Sequence, residues 1–114
     1  MSTARVTNVE TLRQTHTAGL FQGAEHGGVA VSFFVVDQPP GGGPSLHVHP
    51  YEEVFVVHQG EVAFTIGGES VRAAGGDIVV APREVPHKFT NCGRAQLRMT
   101  NIHPSPTVIQ EWLE

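Results

Sequence analysis

The sequence predicts an all-β barrel or sandwich, on three observations. Short β-prone runs of four to eight residues recur at regular spacing. Glycine and proline turns separate them. No segment carries a coiled-coil heptad or a low-complexity tract.

The runs follow in order. Val29 to Val36 (VAVSFFVV) is rich in β-branched and aromatic residues and is ended by the proline- and glycine-rich stretch Asp37 to Pro44. Leu46 to His49 alternates, with His47 and His49 on one face and Leu46 and Val48 on the other. Pro50 cannot donate a ladder hydrogen bond, so a bend is expected there. Glu53 to His58 resumes a strand, Gln59-Gly60 turns it, and Glu61 to Ile66 returns. Gly67-Gly68 is a good two-residue hairpin turn into Glu69 to Ala73. Asp77 to Ala81, Val85 to Thr90 and Gln96 to Ile102 complete the set. The ends are ambiguous: Thr7 to Thr17 reads as a strand or a loose helical turn, and Pro106 to Leu113 as a short helix or an edge strand.

Size and composition set bounds on function. A chain of 114 residues with 39% hydrophobic content can close one small core. Charged residues make up 16%, with a formal net charge of -4 and no basic cluster to neutralise phosphates, so nucleic acid is not an expected partner. No apolar run approaches the ~20 residues that span a bilayer, and Met1 to Gln14 lacks the apolar stretch of a signal peptide. Cys92 is the single cysteine, which fits a reducing cytoplasm.

Chemistry concentrates in four residues. On a strand, His47 and His49 point both imidazoles into the same space. Glu53 lies four residues on, where the Pro50 bend can turn its carboxylate back toward them, and His87 follows Pro86 at the start of another strand. Two imidazoles and a carboxylate suit one divalent ion such as Fe, Mn, Zn, Ni, Co or Cu. A His-x-His pair alone is equally compatible with surface histidines or satisfied core ones. Phe55, Val57, Phe64 and Phe89 share the inferred faces of these residues, and buried imidazoles there need partners.

Gly41, His47, His49, Glu53 and Gly60 stand as G-x5-H-x-H-x3-E-x6-G, and Gly76, Pro82, His87 and Asn91 as G-x5-P-x4-H-x3-N. These resemble the two signatures of the cupin superfamily, with one departure: Glu84 stands where the family usually has glycine, a turn residue rather than a ligand. The resemblance implies a double-stranded β-helix, a jelly-roll-like barrel, with a metal held by His47, His49, Glu53 and His87. It also implies a small-molecule substrate, often a homodimer, and a choice among dioxygenase, isomerase, epimerase, decarboxylase, lyase and cyclase activities, or metal-bearing sensors without turnover. The whole chain, 1–114, is then one barrel, with an N-terminal arm 1–18 and a tail 104–114 packing on the barrel or on a dimer partner.

Acid–base candidates are few. Tyr51, on the bend between ligands, and His103, after the last strand, are the expected catalytic pair, although Tyr51 also reads as a packing residue and His103 as a strand-end one. Glu52 has the parity opposite to Glu53 and is expected in solvent; His58 is expected to face away from the site. Phe55, Phe64 and Phe89 are expected to wall the substrate pocket and to favour an aromatic or ring-bearing ligand. Trp112, with Ile109 and Leu113, is expected to pack on the barrel or a second subunit. Gly41-Gly42-Gly43 precedes neither a lysine nor a helix, so it is no phosphate loop.

Overall fold

The computed structural model describes residues 4–114. Eleven strands run in chain order: β1 Arg13–Thr15, β2 Ala18–Gln22, β3 Ser32–Gln38, β4 His47–Val48, β5 Glu53–Gln59, β6 Glu61–Ile66, β7 Glu69–Ala74, β8 Ile78–Ala81, β9 His87–Asn91, β10 Leu97–His103 and β11 Glu111–Trp112. They form a six-stranded sheet ordered β1-β2-β3-β10-β5-β8 and a five-stranded sheet ordered β11-β4-β9-β6-β7. All pairings are antiparallel. This is the double-stranded β-helix of a jelly-roll barrel, as the strand pattern and the two motifs implied. No helix among the described residues is long and apolar enough to cross a membrane.

Alternation places the core between the sheets. Along β10, Leu97, Met99, Asn101 and His103 are buried while Arg98 is exposed; along β5, Glu53, Phe55 and Val57 are buried. These meet Val62 and Phe64 of β6 and Phe89 of β9, each at 5% exposure or less. Phe55 and Phe64 contact edge to face with centroids 4.8 Å apart, the arrangement that aromatic quadrupoles favour.

The ambiguous ends resolve by what they cover. Val9–Leu12 forms one 3-10 turn, capped by the Asn8 side chain accepting from the Glu10 N–H, and leads into β1. The tail supplies β11, an edge strand pairing Trp112 with His47 and Glu111 with Val48. Of the N-terminal arm, Met1 to Thr3 lie outside the described residues. Strand β2 has no counterpart in the sequence reading. Its five residues follow no polar–apolar alternation, and pairing with β3 along Ala18–Val36 to Gln22–Ser32 is what makes it a strand.

Two turn positions of the motifs have mechanical reasons. Gly60 turns β5 into β6 at φ 95°, and a Cβ there would stand 2.7 Å from the Gln96 carbonyl oxygen. Glu84 occupies the same left-handed region at φ 61°, the one non-glycine residue among those described to do so. Its N–H donates to the His49 carbonyl at 2.9 Å, so the loop keeps the turn without the glycine.

Candidate metal centre

Both sheets contribute to one buried cluster. His47 on β4 stands directly opposite His87 on β9 in register, and His49 follows at the end of β4. Glu53 opens β5 in the other sheet. One ligand atom from each of His47, His49, Glu53 and His87 lies within 4.8 Å of the others, and all four residues are at 6% exposure or less. The Pro50 bend brings the His49 Nε2 within 3.0 Å of Glu53 Oε1, and His87 Nε2 reaches the same oxygen at 2.9 Å.

The outer nitrogens fix the tautomers. His47 Nδ1 lies 2.8 Å from the Ser45 carbonyl oxygen, and His87 Nδ1 3.0 Å from that of Val85, each two residues upstream. His49 Nδ1 takes its partner from the tail, the Ile109 carbonyl oxygen at 2.8 Å. A carbonyl only accepts, so each Nδ1 carries a proton and each Nε2 of a neutral ring presents a lone pair to the cluster.

Such an arrangement calls for a cation. Lone pairs turned on a buried carboxylate repel it, and several imidazolium ions would leave net charge in a dry site. Burial pushes the His47 imidazole below its ordinary pKa, against the Ser45 carbonyl, which favours the protonated ring. For Glu53 burial alone would raise the carboxyl; contacts with His103, and with His49 and His87 when their rings donate from Nε2, outweigh it and hold the group well below the usual carboxylate range. The carboxylate thus persists only where positive charge or N–H donors face it. Among the described residues, the His49 Nε2 has no hydrogen-bond partner of good geometry. One divalent transition metal accepts three nitrogen lone pairs and a carboxylate oxygen together, so the cluster fits the ion that its donor set suggests.

His103 is built differently. Because Ile102 pairs with Val54, the next residue of β10 comes opposite Glu53. His103 Nε2 lies 3.2 Å from Glu53 Oε2, and its Nδ1 lies 2.7 Å from the Tyr51 hydroxyl. The Ile109 N–H donates to that hydroxyl at 3.1 Å, and burial pushes the phenol up, so the hydroxyl keeps its proton and donates it to Nδ1. That tautomer puts the His103 proton on Nε2, turned toward the carboxylate at 3.2 Å without the geometry of a formed hydrogen bond. Three imidazoles offer lone pairs to the cluster; the fourth offers a hydrogen.

A cavity of about 260 Å³ opens beside His47 and His103. Its apolar wall includes Phe34, Val36, Phe89 and Trp112, and Asn101 and Gln110 are among its polar residues. Of the aromatic residues expected in the pocket wall, Phe89 lines this cavity. Phe55 and Phe64, at 1% exposure, lie in the packed core beneath His87 instead. The Trp112 ring lies 5.1 Å from that of His47, while Gln110 also lines a groove on the His49 side with Glu84 and Glu111. Glu52 pairs in solvent with Arg83 at 3.1 Å, and His58 points outward to the Thr100 hydroxyl. Asn101, Phe34 and Gln110 carry no motif that singles them out; only the inward parity of Asn101 with His103 on β10 hinted at its place.

Comparison with known proteins bears on the family and the fold. The cupin domain family model matches residues 34–103, more than half of the chain. The chain belongs to the cupin family. An uncharacterized protein of Streptomyces coelicolor is 29% identical over 89 residues, covering 78% of this chain and 83% of that protein. Among solved structures, Lactobacillus farciminis oxalate decarboxylase in its formate complex superposes with a TM-score of 0.77 at 21% identity, covering 89% of this chain. An oxalate oxidase gives 0.74 at 24% identity over 96% of the chain, and the Schizosaccharomyces pombe Cnp3 cupin domain 0.63 at 19% over 68%. The chain spans 32%, 60% and 57% of those three structures respectively, and at such identities the likeness is one of fold.

Proposed function

We propose that the protein is a metal-dependent cupin enzyme acting on a small polar or aromatic metabolite, by oxygenase-type or isomerase, lyase or cyclase chemistry. The observation that carries this reading is the line Tyr51–His103–Glu53, which sets a proton-bearing imidazole at the wall of the cavity and against the metal cluster. A pure binding site needs no such group; proton transfer needs one within hydrogen-bond reach. A divalent ion held by His47, His49, Glu53 and His87 supplies Lewis-acid or, if redox-active, electron-transfer chemistry. His103 gives or takes a proton at the cavity wall. Tyr51 positions it, and Ile109 positions Tyr51. The apolar wall of Phe34, Val36 and Phe89 excludes water from that exchange.

The same reading places the protein in the cytoplasm, supported by the free, exposed Cys92 thiol. It also takes 1–114 as one barrel whose arm and tail pack upon it, supported by the β1–β2 and β11–β4 pairings. A homodimer is supported by the outer face of the six-stranded sheet, where Phe21, Phe33, Ile102, Val54 and Val80 fall in one cross-strand row. An apolar face of this kind suits an isologous contact with a second copy about a two-fold axis.

Metal content and turnover test the proposal together. Protein purified without added metal should carry close to one ion per chain; iron would favour oxygen chemistry and zinc Lewis-acid chemistry. His49→Ala should lose the ion. His103→Gln should keep it yet lose about 100-fold or more in turnover against a panel of ring-bearing and polar metabolites. Absence of metal despite intact ligands sinks the enzyme reading. Metal retained, with ligands bound but never consumed, would mark a sensor domain instead.

A further inference from the structure

Besides the His49 and His103 Nε2 atoms of the cluster, one more orphaned polar group lies on the substrate side. The Asn101 side chain sits at 3% exposure in the middle of β10, between Phe34 of β3 and Phe55 of β5, and it lines the cavity. Its carboxamide oxygen has no hydrogen-bond partner among the described residues. A buried amide oxygen left unpaired is costly, so it points to a partner that arrives from the cavity.

The charges narrow the ligand further. No lysine or arginine lines the cavity among the described residues. With a divalent ion in place, the Glu53 carboxylate leaves the cluster one positive charge to offer. A ligand with one negative charge is matched by it. A dianion leaves a charge buried among Phe34, Val36, Phe89 and Trp112 without a counterion. That apolar wall instead matches the faces of a ring.

We propose that this cavity takes a small ring-bearing ligand that brings at most one negative charge to the metal and presents an N–H or O–H to the Asn101 carboxamide oxygen. This rests on the metal reading above and adds the ligand class. Asn101 is then the residue that sets specificity, since a buried acceptor discriminates against ligands that lack the donor.

Zinc-loaded protein titrated with benzohydroxamate, N-methylbenzohydroxamate and oxalate tests this, with the fluorescence of Trp112, the single tryptophan, as readout. All of these probes chelate through oxygen, but oxalate is a dianion without a ring, and the N-methyl compound lacks the N–H. Benzohydroxamate should bind at least about tenfold more tightly than either, the size of one good hydrogen bond or one unmatched charge. In Asn101→Leu, which removes no bond present in the free protein, the preference for the N–H compound should vanish while zinc content stays unchanged. Oxalate binding as tightly as benzohydroxamate overturns the proposal, as does an N–H preference that survives in Asn101→Leu. The comparison within the native protein stands even if that variant folds poorly. Zinc content measured on the same samples separates the two readings. Zinc absent overturns the metal site and this proposal with it, whereas zinc present with oxalate preferred overturns the ligand class alone.

Discussion

At the scale of single residues, protonation is set by neighbours more than by residue type. Four histidines meet one glutamate, yet their roles divide by what each Nδ1 touches: a backbone carbonyl for His47, His49 and His87, and a hydroxyl that donates for His103. The same logic applies to Glu84, whose backbone obeys the loop and not its own preference. An L-residue in the left-handed region is strained by ~1–2 kcal/mol, and part of the gain from glycine is offset by the extra chain entropy that glycine loses on folding. Glu84→Gly should therefore stabilise the protein by about 1 kcal/mol and raise the melting temperature by a few degrees. Calorimetry that finds no rise would mean that the Glu84 side chain offsets its own backbone strain.

At the scale of elements, the tail does more than cover an edge. Strand β11 zips onto β4, and the Leu113 N–H donates to the Leu46 carbonyl at 2.9 Å. The irregular segment before it gives two backbone groups to the site: the Ile109 carbonyl holds His49, and the Ile109 N–H holds Tyr51. Metal affinity should thus depend on residues that never touch the metal. Deleting residues 109–114 should weaken binding about 10–100-fold in a chelator competition, because outer hydrogen bonds orient ligating imidazoles. Circular dichroism should keep its β signature, since the tail pairs at a sheet edge alone. Unchanged affinity would show that His49 is held by packing.

At the scale of the whole molecule, the two faces of the six-stranded sheet divide the work. The inner face carries Glu53, Asn101 and His103 toward the site; the outer one leaves Ile78 at 65% and Val80 at 55% exposure. If a second copy covers that outer face, Ile78→Glu with Val80→Glu should turn a dimer into a monomer in sedimentation, with metal content unchanged. Because both side chains are already half exposed or more, the charges should not unfold the barrel. Native protein that sediments as a monomer at micromolar concentration would remove the dimer from the proposal.

The sequence by itself determined the barrel through its strand pattern, and it marked the four ligands through two motifs that resemble the cupin signatures. Strand alternation fixes which way His47 and His49 point, and the Pro50 bend lets Glu53 reach back, but spacing alone left the histidines open and His87 came from the second motif. It also marked Glu84 as the one departure, at the position where the backbone adopts glycine's conformation. What the tertiary structure alone decided is everything that arrives from far along the chain. Tyr51 and His103 are 52 residues apart, and His49 and Ile109 are 60 apart. Their meeting depends on the β10–β5 register and on the edge pairing of β11, which no local pattern encodes. For the same reason Phe55 and Phe64 share the parity of the ligands but lie too deep to wall the cavity, which falls instead to Phe34, Val36 and Trp112. Parity says which face of a sheet a side chain takes, and only the packing of one sheet on the other says how deep it lies.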